Sequence, residues 1–375
     1  MPIPYGRQSI NESDIAAVVK VLRSDWLTTG PGVASFERAI SGVAGTPDAV
    51  VVSNGTAALH CAYAAIGVGP GDEVVTTPLT FAATAVTALA QGAAIVFADV
   101  QEDTGNLDPG AAEAAITSRT KVVAAVDYAG HPADLVELHD LTQRVGICLL
   151  EDAAHSIASL YRGAPVGGIA DVTTFSFFPT KNLTSGEGGA VVSPDAAIVE
   201  RARRFGRHGL VRDPAELRYP DEGPWHQEVH RASLNYRLPD VLCALGESQL
   251  ARIADFKASR TAIYDRYVSG LSDVEGLRLP AKREYVDPMW HLFAVRVPAD
   301  RRRAVFERLH EHGILAQVNY IPVYWHPAFE DLGYRRGQCP IAEQYYREEI
   351  SLPMYADLSP GDQDRVIDVV REALR

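Results

Sequence analysis

A lone lysine, Lys181, stands between an apolar run, 172–178 (VTTFSFF), and a stretch of small residues that holds Gly186, Gly188 and Gly189. An amine at the mouth of an apolar strand loses hydration, which lowers its pKa and frees its lone pair. A lysine needs that property to form an imine with a carbonyl compound. The plainer reading is a surface lysine in a turn between two strands, and Lys181 by itself does not choose between the two.

Ligands of open parallel sheets gather beyond the carboxyl ends of the strands, so the residues that end each β-like run matter most. The run 49–53 (AVVVS) leads through Asn54 into Gly55 and Thr56 and then a helical pattern. Small residues opening a helix leave backbone amides free to face an anion, which the helix dipole also favours. A threonine-capped turn without a ligand reads equally well. The run 73–77 (EVVTT) is followed by Phe81, whose ring either stacks on a flat ligand or opens the next helix as a core residue. The run 147–152 (ICLLED) ends in Glu151 and Asp152, with His155 close behind. Asp152 can pair with a cationic ring nitrogen, and His155 can reach a phenolic oxygen on the same ring. An acid capping the next helix is the alternative, and a metal pair of Asp152 and His155 ranks last, because no third ligand stands at a suitable spacing. No metal is therefore expected. Together with Ser176, just upstream of Lys181, these residues supply a phosphate seat, a ring stack, an acid for a pyridinium nitrogen and a lysine for an imine. Pyridoxal 5'-phosphate chemistry needs that set, with the cofactor as electron sink and the protein orienting it.

Such a set has to be held by a sheet. Apolar, β-branched runs at 49–53, 73–77, 94–98, 121–128, 147–152, 172–178 and 189–192 alternate with helical patterns near 56–66, 81–91, 109–117 and 134–146. Uninterrupted runs separated by helices predict an α/β fold whose mostly parallel, seven-stranded sheet is covered on both faces. Asn11 to Asp14 reads as a capped helix start, and one long helical pattern runs from Asp240 to about Ser269. The chain of 375 residues is too long for one simple core. Its change of texture predicts a large domain over 1–250, N-terminal segment included, and a smaller C-terminal α/β domain over 251–375, with 291–297, 301–312, 317–320 and a helix after Pro360 as its elements.

Composition removes several classes of function. A net charge of −13 argues against a protein built to hold nucleic acid. Val74 to Ala98 carries no charged residue and is long enough to span a bilayer, yet Pro78, Gln91, Gly92 and five threonines read better as strand, loop, helix and strand. No membrane association is expected. Cys61, Cys148, Cys243 and Cys339 lie far apart without a paired motif and read as free thiols. With no secretory pattern in the first residues, the expected compartment is the cytoplasm.

In this order the residues resemble the DegT/DnrJ/EryC1/StrS family, the fold type I sugar aminotransferases. The likeness runs through 27–40 (LTTGPGVASFERAI), 53–59 (SNGTAAL), 77–85 (TPLTFAATA), 127–135 (DYAGHPADL), 151–155 (EDAAH), 175–191 (FSFFPTKNLTSGEGGAV), 203–209 (RRFGRHG) and 234–250 (LNYRLPDVLCALGESQL). The resemblance implies that Lys181 binds the cofactor as an imine and later moves the proton, that Asp152 meets the pyridine nitrogen and that Phe81 lies against the ring. It gives Gly55, Thr56 and Ser176 to the cofactor phosphate and His155 to the ring hydroxyl. Asn235 matches an asparagine that reaches the phosphate from a neighbouring subunit, which implies a homodimer with shared sites. His208, Arg237, Tyr320 and His326 fall in segments that resemble substrate-side loops; a basic helix end explains His208 as well.

Relatives acting at C4 of a nucleotide-linked ketosugar often carry an ending like Thr184-Ser185-Gly186-Glu187-Gly188-Gly189, so C4 is favoured over C3. Segments 126–130, 313–324 and 349–359 resemble enzymes of pseudaminic acid synthesis. They imply UDP-2-acetamido-2,6-dideoxy-β-L-arabino-hexos-4-ulose as substrate and glutamate as donor, leaving 2-oxoglutarate. Enzymes acting on UDP-4-keto-arabinose share some of these segments. Where many relatives have histidine three residues before the lysine, this chain has Phe178. Two rival classes share the fold: a 3-dehydrase, which has histidine in place of Lys181, and a cofactor-binding regulator, for which no DNA-binding module is seen.

Overall fold

A computed structural model describes residues 2–375. The expected runs form one sheet of seven strands: β1 (Asp48–Val52), β2 (Glu73–Thr76), β3 (Ala94–Phe97), β4 (Thr120–Val126), β5 (Cys148–Asp152), β6 (Val172–Ser176) and β7 (Gly189–Ser193). Their spatial order is β1-β7-β6-β5-β4-β2-β3. Strand β7 runs antiparallel to both its neighbours, and the remaining pairs are parallel. Alternate residues feed two cores. Val50, Val74, Val122 and Leu150 face one layer, while Val51, Val75, Val123 and Leu149 face the other. Burial on both faces is why the strands read as unbroken apolar runs rather than alternating ones.

Helix α1 (Glu12–Leu22) starts at Asn11 as expected: the Asp14 amide donates to Asn11 Oδ1 at 3.1 Å, and the Asn11 amide donates to Asp14 Oδ2 at 3.0 Å. This reciprocal cap satisfies two amides that the first turn would otherwise leave free. Helices α2 (Pro31–Ala44), α3 (Gly55–Ala65) and α4 (Ala83–Ala90) follow, with α3 and α4 covering the face of the sheet that carries Val50. The uncharged stretch from Val74 thus divides into β2, a loop, α4 and β3. No described helix is long and apolar enough to cross a membrane. All four cysteines are free.

The long helical pattern is two helices, α5 (Asp240–Leu250) and α6 (Ile253–Leu271). No proline or glycine marks the break, so the periodicity alone does not reveal it. Tertiary anchoring does: Arg252 donates to Asp14 Oδ2 at 2.6 Å and to Ser9 O at 3.1 Å, and Gln249 donates to the same two acceptors. The bend lets α5 pack on α1 and α2, while α6 packs on the C-terminal helix α7 (Pro360–Leu374). Strands β8 (Phe293–Arg296) and β9 (Glu349–Leu352) pair antiparallel over a separate apolar cluster formed with α6 and α7. Residues Ile3–Pro4 pair in parallel with Ile314–Leu315, so the chain begins against this C-terminal part. Residues 317–320 extend the small layer only by the Gln317–Ser351 bridge; beyond it they run as a loop toward the large sheet.

Candidate active site

The carboxyl ends of β1, β5 and β6 open on one cavity of about 490 Å³. Gly55, Thr56, Phe81, Asp152, His155, Ser176, Lys181 and Tyr320 all line it. At its β1 end the sheet comes unusually close to a helix start. A Cβ on Gly55 would lie 2.8 Å from Ser176 Cβ, and one on Gly189 would lie 2.5 Å from Asn54 O. Only glycine at both positions lets β6 and β7 approach the first turn of α3, which puts the Ser176 hydroxyl beside that turn. Asn54 caps the helix by accepting from the Ala57 amide at 2.8 Å. Gly55 and Thr56, ahead of Ala57, line the cavity, and the amides of a helix's first turn have no partner within the helix, which suits a phosphate.

Lys181 rides on a loop closed on itself after β6. Phe177 donates its amide to Gly188 O at 2.8 Å and receives the Thr184 hydroxyl (3.0 Å) and the Ser185 amide (3.1 Å) on its own carbonyl. Asn182 ties the loop to Met289 O at 2.8 Å. Burial pushes the Lys181 amine down to about 8, against the opposing pull of Asp152. Among the described residues its Nζ makes no hydrogen bond and no ion pair. Asp152, at the end of β5, accepts from the Thr84 hydroxyl at 2.7 Å and the Ala154 amide at 3.2 Å. Burial raises its pKa, with Thr84 and Lys181 countering. No arginine or lysine pairs with it at contact distance among the described residues, so a cationic ring nitrogen would meet a carboxylate already desolvated and oriented. Glu151, the neighbouring acid, points to the other face, where Thr173 donates to it at 2.7 Å. A phosphate seat, a carboxylate short of a cation and a desolvated amine around one cavity fit pyridoxal phosphate. No group of three or more metal-ligating side chains occurs among the described residues.

His155 is buried, and its Nε2 lies 3.1 Å from the Tyr320 hydroxyl. Phe81 remains 63% exposed at the mouth, its ring centroid 6.3 Å from that of Tyr320. Tyr320 is held from below by a polar clasp. The Asn319 amide donates to Glu349 Oε2 at 2.7 Å, the Asn319 side chain donates to Ser351 Oγ at 3.0 Å, and Ser351 pairs with the other Glu349 oxygen. Burial pushes the Glu349 carboxyl up to about 8. A folded-state pKa above the unfolded value means that this group's stabilisation is full below about pH 4.5 and is lost as pH rises through about 8. Glu349→Gln imitates the protonated acid. Melting curves should therefore coincide with wild type near pH 5, whereas near pH 9 the variant should be more stable, by an amount on the order of a few kcal/mol. Parallel pH profiles for the two proteins would refute a protonated Glu349.

Four of the residues singled out from the sequence lie elsewhere in the single chain. Arg237 lines a second cleft, of about 570 Å³, with Arg203, Arg207, Arg212 and Glu37. Asn235 is exposed, bridged to Arg207 and accepting from the Arg237 amide at 3.2 Å. His208 takes a left-handed backbone (φ 64°) next to this cleft's Arg207, and His326 precedes a short helix, Pro327–Asp331. In the other direction, the cavity includes Tyr5, Phe178, Glu187, His291 and Asn319, of which Tyr5, His291 and Asn319 carry no local signal. Their segments are far from the lysine in sequence and arrive only through packing of the C-terminal layer. Thr84 could have been found, since it follows Phe81 in the same loop-to-helix passage and is the second residue of α4.

The comparisons with known proteins agree with this geometry over the full length of the chain. The profile of the DegT/DnrJ/EryC1/StrS aminotransferase family matches residues 8–371. The chain is 38% identical to the spore coat polysaccharide biosynthesis protein SpsC of Bacillus subtilis, covering 100% of this chain and 97% of that protein. Among solved structures, Spr1654 of Streptococcus pneumoniae, described as a sugar aminotransferase, superposes in its PMP form with a TM-score of 0.93 at 31% identity, covering 99% of this chain and 98% of that one. Helicobacter pylori PseC, an aminotransferase involved in the biosynthesis of pseudoaminic acid, gives a TM-score of 0.93 at 30% identity, covering 100% and 99%. The chain belongs to the DegT/DnrJ/EryC1/StrS aminotransferase family and is a pyridoxal-phosphate-dependent sugar aminotransferase.

Proposed function

We propose that this enzyme moves an amino group from glutamate to C4 of a nucleotide-linked 4-keto-6-deoxy sugar, with UDP-2-acetamido-2,6-dideoxy-β-L-arabino-hexos-4-ulose as the best candidate and 2-oxoglutarate as by-product. The observation that carries amino transfer is a desolvated amine, Lys181, and an unpaired carboxylate, Asp152, around one cavity that ends in a helix N-terminus. The choice of sugar is supported by the Thr184–Gly189 ending and by the likeness to PseC, whose product pathway is pseudoaminic acid.

When bound, pyridoxal phosphate supplies the carbonyl that carries the amino group and the ring that takes up electrons from the substrate carbon. The protein's share is orientation and proton handling. The amides at the start of α3 with Thr56 and Ser176 would hold the phosphate, Phe81 would lie against the ring, and Asp152 would keep the ring nitrogen protonated. His155, steadied by Tyr320, serves the ring oxygen. An amine near pKa 8 is partly neutral at working pH, so Lys181 serves first as nucleophile and then as the base that carries a proton to and from the substrate carbon.

A homodimer with shared sites completes this reading. Asn235 is exposed and away from its own chain's cavity, and Phe81 and Phe178 leave that cavity's mouth open to a second copy. Sedimentation showing a monomer at working concentration would reject it. The substrate test runs the reaction backwards: enzyme in its pyridoxal form is mixed with a panel of nucleotide amino sugars, and loss of the visible cofactor band is followed. The UDP-linked 4-amino sugar should bleach the band at the lowest concentration. A panel that leaves the band intact, while glutamate bleaches it, would sink the proposed sugar and keep the aminotransferase.

A further inference from the structure

Two buried polar atoms among the cavity-lining side chains have no hydrogen-bond partner: Nδ1 of His155 and Nδ1 of His291. Leaving such a group unsatisfied costs about 1–3 kcal/mol, so each calls for a reason. The two rings belong together. Their centroids are 4.3 Å apart with planes inclined by 40°, His155 is 5% exposed and His291 3%.

The backbone that carries His291 is pinned from three sides. The amides of His291 and Leu292 both donate to Ala129 O, at 2.8 and 3.2 Å. The Met289 amide donates to Ser159 Oγ at 2.7 Å, and Ser159 Oγ donates to Gly130 O at 3.0 Å. A Cβ on Gly130 would lie 2.1 Å from Met289 O, an approach only glycine permits. On the far side the Trp290 indole lies flat on Tyr264, with centroids 4.1 Å apart, while Arg260 donates to Trp290 O at 3.1 Å. A ring held this firmly, with its polar edge unused by the protein, is poorly explained as filler; a phenylalanine would fill the space without the unsatisfied nitrogen.

We propose that His291 is a positioning residue that fixes the ring plane and the tautomer of His155, so that His155 presents its proton to the cofactor's ring oxygen. This rests on the role given to His155 above. Tyr320 engages Nε2 of His155, Nδ1 of the same ring finds no partner, and the His291 ring lies against it at 4.3 Å between centroids. Burial first, then nearby cations, hold both imidazoles neutral: Lys181 acts on His155, and Lys181 and Arg260 act on His291. A neutral histidine has one proton to place, and its neighbours decide on which nitrogen.

The test is a double-mutant cycle of His291→Phe and His155→Phe, read by three measurements. In the cofactor-free enzyme, nitrogen chemical shifts should show one His155 tautomer in wild type and a mixture in His291→Phe. In the loaded enzyme, the pH midpoint of the visible cofactor band should rise by about half a unit or more in His291→Phe, because the ring oxygen loses a donor. The kcat should fall about tenfold with the KM for glutamate within about threefold, at unchanged cofactor stoichiometry. In the His155→Phe background, the same His291 substitution should change neither midpoint nor kcat further. An unmoved midpoint and tautomer in His291→Phe, or effects that simply add in the double variant, would overturn the proposal. Should His291→Phe not fold, His291→Gln enters the same cycle. A wild-type protein that forms no cofactor band would instead overturn the functional reading itself.

Discussion

Lys181→Ala is expected to lower the rate of amino transfer by at least about 10³–10⁴-fold, because one side chain performs both the nucleophilic and the base step. The fold should survive intact. Lys181 makes no hydrogen bond through Nζ among the described residues, and the loop that carries it is closed by Phe177, Thr184 and Ser185 rather than by the amine. Removing a desolvated amine also removes a cost of burial, so Tm should stay level or rise slightly. Phosphate-side binding of the cofactor should persist through Gly55, Thr56 and Ser176, but the absorbance of the lysine-bound form should be absent. Lys181→Arg should be equally inactive, since a guanidinium does not release its proton in this pH range. A small primary amine added to Lys181→Ala should restore a fraction of single-turnover rate, as a lost base step can be replaced from solution and a lost fold cannot. Retention of the band and of turnover in Lys181→Ala would remove the lysine from the reaction.

The features that make this test interpretable were unequally visible in the sequence. Strands buried on both faces announce themselves as apolar runs, which is why β1 to β7 and the residues at their carboxyl ends could be read directly. Gly55, Asp152 and Lys181 sit at such ends, so sheet topology alone brings them together. The break at Ala251 and Arg252 was not legible, because it depends on a salt bridge to Asp14 more than two hundred residues earlier, not on a local breaker. His291 and Tyr5 were hidden for the same reason: each belongs to a segment whose own pattern is an ordinary apolar one, and only the docking of the C-terminal layer against Ala129, Ser159 and Asn182 carries His291 to the cavity. Asn235 and Arg237 illustrate the opposite case. Their motif is visible in sequence, but a single chain gives them no place in the cavity, and the role proposed for Asn235 depends on a second copy.

Asp152→Asn separates charge from shape at the other pole of the site. The amide is isosteric with the carboxylate, its oxygen can keep the bond from the Ala154 amide, and its nitrogen can donate to the Thr84 hydroxyl, so the end of β5 should not move. What is lost is a negative charge that burial already makes costly and that no cation of the protein offsets at contact distance. Protein stability should therefore be unchanged or slightly higher. A charge-assisted contact to the ring nitrogen is worth about 1.5–3 kcal/mol, which corresponds to cofactor affinity falling by roughly 10- to 100-fold. At saturating cofactor the kcat should still fall by about 10²–10³-fold, since the ring can take up electrons from the substrate carbon only while its nitrogen stays protonated. Binding titration and saturating kinetics measure the two effects separately. A kcat within about threefold of wild type at full occupancy would show that the carboxylate only holds the cofactor. A large drop in Tm would instead assign Asp152 to the architecture of the strand end, with Thr84 as its structural partner.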